Sequence, residues 1–85
     1  MQIHDNQTAQ RLETEIDGHK AWLDYGLEGQ NFIIQHTDVP DAVGGRGVGS
    51  ALVRHARDMA RASGLKIISR CSFATTWLQK HSVND

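Results

Sequence analysis

The chain has 85 residues, with nine Lys and Arg against ten Asp and Glu, five His and a formal net charge of −1. One domain of this size buries only about 60 to 65% of the surface its unfolded form exposes, so its core is thin. The near-zero charge offers no general attraction to nucleic acid or an anionic membrane, so any anion site must be local. Cys71 is the only cysteine, which excludes an intrachain disulfide. With no signal-like or long apolar run, the expected compartment is the cytoplasm.

Residues 1–7 are polar and without period, and read as a loosely ordered, frayed or partly paired lead-in. From Gln10 to Ile16, Leu12 and Ile16 alternate with Arg11, Glu13 and Glu15, and Asp17-Gly18 follows as a hairpin signal. Ala21, Leu23, Tyr25 and Leu27 then recur at period two, until Glu28-Gly29-Gln30 breaks the second strand. Phe32-Ile33-Ile34 is a continuous apolar run within 31–37, expected of a central strand covered on both faces.

Beyond Asp38-Val39-Pro40-Asp41 the period changes. Val48, Ala51, Leu52, Ala56, Met59 and Ala60 recur at three- and four-residue steps, which predicts a helix over 47–63. Gly64 stands where a left-handed cap is wanted. Leu65, Ile67 and Ile68 form a short strand, and Phe73, Trp77, Leu78 and His81 line one face of a final helix that Ser72 can cap. The expected fold is α/β, an α+β mixture in the order β-β-β-α-β-α, with a mixed sheet, one right-handed β-α-β crossover and a single domain over 1–85.

The loop Val43-Gly44-Gly45-Arg46-Gly47-Val48-Gly49 opens at the carboxyl end of the third strand, where ligands of open α/β sheets bind. Its glycines let unpaired amides and the positive end of a helix dipole meet a phosphate; a merely flexible connection is the plainer reading. A nucleotide P-loop fails because Ser50-Ala51 stands where Lys and a hydroxyl are required. A dinucleotide fingerprint fails because Ser50 occupies the third glycine position.

Val39 followed by Arg46-Gly47-Val48-Gly49-Ser50-Ala51-Leu52-Val53 resembles the cofactor motif of the GNAT acetyltransferase superfamily, with the motif's glycines on Gly47 and Gly49 and its leading Gln/Arg on Gly44. His36-Thr37-Asp38-Val39, Gly64-Leu65-Lys66-Ile67-Ile68, Cys71-Ser72-Phe73 and Leu78-Gln79-Lys80-His81 look like the reduced, small-size family within it, over residues 10–81. That pattern departs here at Asp38, where the family has glutamate, and at His81-Ser82-Val83, which lacks the proline ending. The resemblance implies an acetyl-CoA-dependent N-acetyltransferase acting on a primary amine; an open acceptor site suits an exposed amine of a protein or a polyamine, and the near-zero charge and lack of a long apolar run lead us to expect no nucleic-acid or membrane partners. The oligomeric state stays open. It also implies coenzyme A contacts from Val39, Gly44, Gly45, Arg46, Gly47, Val48, Gly49 and Ser50. A coenzyme A-binding module without catalysis is the alternative.

Two side chains are candidates for the chemistry. Cys71 lies between a strand and a helix start, where the dipole lowers a thiol pKa; it is nucleophile, proton donor or a small buried residue. His36, near the end of the central strand, is a general base or a histidine hydrogen-bonded across the sheet. The final helix lacks the tyrosine common in GNAT proteins, and Tyr25 lies on another strand. No His or Cys spacing suits a metal, so none is expected. Arg54, Arg57 and Arg61 share one helix side and read as a solvated face or as contacts for a ribose phosphate or an acidic partner.

Overall fold

In a computed structural model, which describes residues 1–81, the Asp17-Gly18 signal closes a two-residue hairpin. The register sets Ile16 opposite His19, with Asp17 at φ 52° and Gly18 at φ 79°, the pair of left-handed conformations a type I′ turn requires. The hairpin joins β2 (Arg11–Ile16) to β3 (His19–Glu28), and β4 (Asn31–Asp38) continues the antiparallel run. Helix α1 (Val48–Ala62) crosses to β5 (Lys66–Ser69), which pairs parallel to β4, and α2 (Ser72–His81) ends the described chain. The sheet is mixed, five-stranded and ordered β1-β2-β3-β4-β5.

The extra strand comes from the lead-in. β1 (His4–Asn6) pairs antiparallel with β2, so the order gains a strand before those expected. Side chains tie it down: the Thr14 hydroxyl donates to the Gln2 carbonyl at 2.6 Å, the Tyr25 hydroxyl donates to Asp5 Oδ1 at 2.7 Å, and Ile3 packs against the core.

Leu12, Thr14, Ala21, Leu23 and Tyr25 point to one face of the sheet, and α1 covers that face with Val48, Leu52, Val53, Ala56 and Ala60. Leu27, expected on the same stripe, is 52% exposed at the far end of β3. α1 ends in a Schellman arrangement, with Leu65 N–H donating to Ala60 and Gly64 N–H to Arg61. From α2, Ala74 and Trp77 join the core. The expected solvated arginine face holds for Arg54 and Arg61, which are exposed, but not for Arg57, whose side chain is only 16% exposed; the Arg54 and Arg57 guanidinium groups lie 5.7 and 5.1 Å from the Trp77 ring. The stems cover an aromatic that the thin core leaves at its margin.

β4 carries the feature that sets the site. Ile34 faces Tyr25 and Thr37 faces Leu23, so Gln35 is an extra residue, a β-bulge. Regular alternation would set Ile34 and His36 on one face. The bulge gives the core face to Thr37 and turns His36 outward.

Candidate functional site

The β5 ladder ends at Ile34, opposite Ser69, whereas β4 runs on to Asp38. The two parallel strands therefore part at their carboxyl ends, and the glycine loop sits above the gap. A 3-10 turn (Asp41–Val43) begins that loop, with Val43 N–H donating to the Pro40 carbonyl and Gly44 N–H to Asp41, each at 3.0 Å. Val43 is buried and anchors the turn. Gly45 and Gly47 follow at φ 80° and 76°, a conformation that L side chains rarely adopt.

Gly47 caps α1 without any side-chain hydrogen bond, and the first turn holds no acidic residue. The first intrahelical bond runs from Ala51 N–H to the Gly47 carbonyl at 3.0 Å. The amides of Val48, Gly49 and Ser50 precede it and have no carbonyl one turn earlier. The positive end of a 15-residue helix is thus open to an anion.

A cleft of about 490 Å³ lies against these amides, between Thr37 and Val39 of the parted β4 edge, the glycines, Val48, Ser50 and Phe73. Every residue expected to hold the cofactor lines it except Arg46. That side chain turns away and pairs with Asp17 of the β2–β3 turn. A second cleft of about 500 Å³ shares Ser50 and Phe73 and continues along α2 past Trp77 to Lys80 and His81. A larger hollow of about 730 Å³, between Gln2 and Trp22 on β1–β3, contains none of the candidate residues.

Phe73 explains Gly49. Expected on the core face of α2, this ring is 46% exposed and lies over α1 instead. A Cβ on Gly49 would stand 2.9 Å from Phe73 Cζ, too close without movement of the ring. Gly49→Ala is therefore expected to push the half-exposed ring aside, at a cost held to about 1 kcal/mol because the atom met is the far end of a side chain. Adding Phe73→Ala should recover part of that loss, and thermal melts of the two variants check the coupling.

Cys71 and His36 part company across the sheet. Cys71 stands just before α2, half-buried, with Sγ 3.6 Å from the Thr37 hydroxyl that lines the cleft. Burial raises its thiol pKa, but hydrogen bonds from the Ala74 backbone, the Thr37 hydroxyl and the Phe73 and Thr37 backbones outweigh that, and the net shift is downward. Ser69 fixes the backbone here: its hydroxyl donates to the Cys71 carbonyl at 2.9 Å, and accepts from Cys71 N–H at 3.3 Å and from the Thr75 hydroxyl at 2.9 Å. His36 is exposed on the opposite face, with Nε2 3.7 Å from Asp38 Oδ2, and lines neither cleft at the loop.

Thr37 and Ser69 are the residues that sequence reasoning missed. The signal for Ser69 was present in Ser69-x-Cys71, a hydroxyl two residues before a helix-capping position. Tyr25 is structural: burial, then its bond to Asp5 and the Asp5 charge, push its phenol up to about 12.

Residues 11–85 match the family model described as GCN5-related N-acetyl-transferase. The chain belongs to this acetyltransferase family. No curated protein matches the chain at a significant level. Membership fits the fold of the described residues, a mixed five-stranded sheet with two α-helices and a cleft where the parallel strands β4 and β5 part. Among the described residues, no group of His, Cys, Asp and Glu is arranged to hold a metal ion, and no helix is long and apolar enough to cross a membrane.

Proposed function

We propose that the chain is an acetyl-CoA-dependent N-acetyltransferase of the cytoplasm, folded as one domain and acting on a primary amine of a protein or a polyamine. The observation that carries this reading is the uncapped start of α1 opening into a cleft whose inner end reaches Thr37 and, through it, the Cys71 thiol. The residues fit coenzyme A. Bare glycine backbone and the free amides of Val48, Gly49 and Ser50 suit a diphosphate, and the adjoining cleft beside Phe73 and Lys80 leaves room for the nucleotide end.

When bound, acetyl-CoA supplies the activated acetyl thioester. The chain's own residues bind and orient it. Backbone amides at the parted edge near Val39 would polarise the thioester carbonyl oxygen, a contribution that costs no reorganisation during reaction. Cys71 Sγ holds or returns a proton, and its lowered pKa brings it toward the working pH, where such exchange is most effective. In this reading the amine proton goes to His36 Nε2, beside Asp38, which requires the acceptor to reach the parted β4 edge from the outer face, because His36 lines neither cleft at the loop.

A coenzyme A-binding module without catalysis is the second reading, favoured by the glycine at position 44 and by the sheet standing between His36 and Cys71. Titration calorimetry with acetyl-CoA, coenzyme A and pyrophosphate tests both. Either reading requires acetyl-CoA to bind more tightly than pyrophosphate, and absence of acetyl-CoA binding at millimolar concentration would remove both. Thiol release with a panel of amines then separates enzyme from binder.

A further inference from the structure

We propose that Asp17, through its ion pair with Arg46, is a positioning residue that holds the glycine loop in its ligand-receiving shape. The inference rests on the reading of that loop as a diphosphate site. Between Val43 and Val48 the only residue with a side chain is Arg46; the others are Gly44, Gly45 and Gly47. A segment this rich in glycine loses much conformational freedom when fixed, and two of its residues lie in the left-handed region. Arg46 is therefore its one handle for a side-chain restraint.

That handle is fastened outside the cleft. Arg46 is absent from the cleft wall and pairs with Asp17 at the tip of the β2–β3 hairpin. The tip is well placed to serve as a post. β4 ends at Asp38 opposite Trp22, so His19, Lys20 and Ala21 carry the hairpin past it, by about 10 Å at strand rise. The hairpin thus flanks the loop that follows β4. Asp17 and Gly18 close it in the stiff two-residue turn described above. The pair leaves the amides alone to face a ligand, while the side chain between them is drawn away to the hairpin.

Both partners are substantially exposed, so the restraint is modest. Asp17→Gly, which keeps the left-handed turn, and Arg46→Ala should each weaken acetyl-CoA binding by about two- to five-fold. The double variant should be no weaker than either single one, and Arg46→Lys should retain most of the affinity. In the unliganded protein, the NMR solvent-exchange rate of the Gly44 amide, which donates to the Asp41 carbonyl, should rise in Asp17→Gly while those in the second half of α1 stay constant. Weaker binding in Arg46→Ala with unchanged or tighter binding in Asp17→Gly would overturn the proposal, because Arg46 would then act on the ligand directly. Unchanged loop exchange in Asp17→Gly would overturn it as well. If the native chain binds neither acetyl-CoA nor pyrophosphate, the diphosphate reading falls, and the exchange rates still decide whether the pair holds the loop.

Discussion

Gly47→Glu is expected to abolish acetyl-CoA binding while leaving a folded protein. A Cβ at this position meets nothing within 4 Å, so the substitution clashes with no neighbour. Its local cost is the left-handed φ of 76°, about 1–3 kcal/mol for a side chain held there. The larger effect is electrostatic. The new carboxylate stands at the cap of α1, beside the amides that would receive the diphosphate, and satisfies them with a charge of the wrong sign for a ligand. Like charges brought together at an interface cost several kcal/mol, so affinity should fall by more than about 100-fold. Calorimetry reads the loss, and far-UV circular dichroism with a thermal melt reads the fold. Retained affinity would move the cofactor away from this loop.

Cys71→Ala should lower turnover by at least about 100-fold with acetyl-CoA affinity nearly unchanged, as expected when a group that moves a proton is removed. The thiol also has a signature independent of turnover. Because its pKa lies below the ordinary thiol value, iodoacetamide should modify Cys71 with a pH midpoint lower than that of the urea-unfolded chain. Thr37→Val removes the hydroxyl at 3.6 Å and should move that midpoint back up. The sign follows from linkage: a depressed thiol pKa stabilises the folded state above the ordinary thiol value, and this contribution is lost as pH falls through the folded-state value. Thr37→Val should therefore reduce stability on the alkaline side more than near pH 6. Equal alkylation profiles for the native and Thr37→Val chains would remove Thr37 from the site.

The elements legible from sequence were those whose signals are local and strong. Asp17-Gly18 specifies its turn chemically, and the three- and four-residue recurrence of α1 is sustained over four turns before Gly64 ends it. β1 was legible only as the partly paired alternative for the lead-in, because His4-Asp5-Asn6 buries no large apolar stripe; it is held by ladder pairing and by bonds from Thr14 and Tyr25, partners distant in sequence. Arg46 and Phe73 show the same limit from opposite sides. A basic residue within a phosphate-type loop reads as a ligand contact, and an aromatic on a helix reads as core. Each instead meets a neighbour that only the tertiary fold supplies, Asp17 in one case and Gly49 in the other. At β4, three consecutive buried residues, Phe32, Ile33 and Ile34, erase the alternation from which the facing of His36 or Thr37 could have been counted.

The bulge at Gln35 acts on β4 much as a single inserted letter acts on a reading frame. Everything from position 36 onward is displayed to the opposite side, so one residue of backbone length decides whether a hydroxyl or an imidazole meets the thiol. Were Gln35 paired opposite Asp24 in regular alternation, His36 would take the core face now held by Thr37 and come round to Cys71, the thiol–imidazole pairing of many nucleophilic enzymes. In this chain the chemistry next to Cys71 is therefore set by a count as much as by a composition.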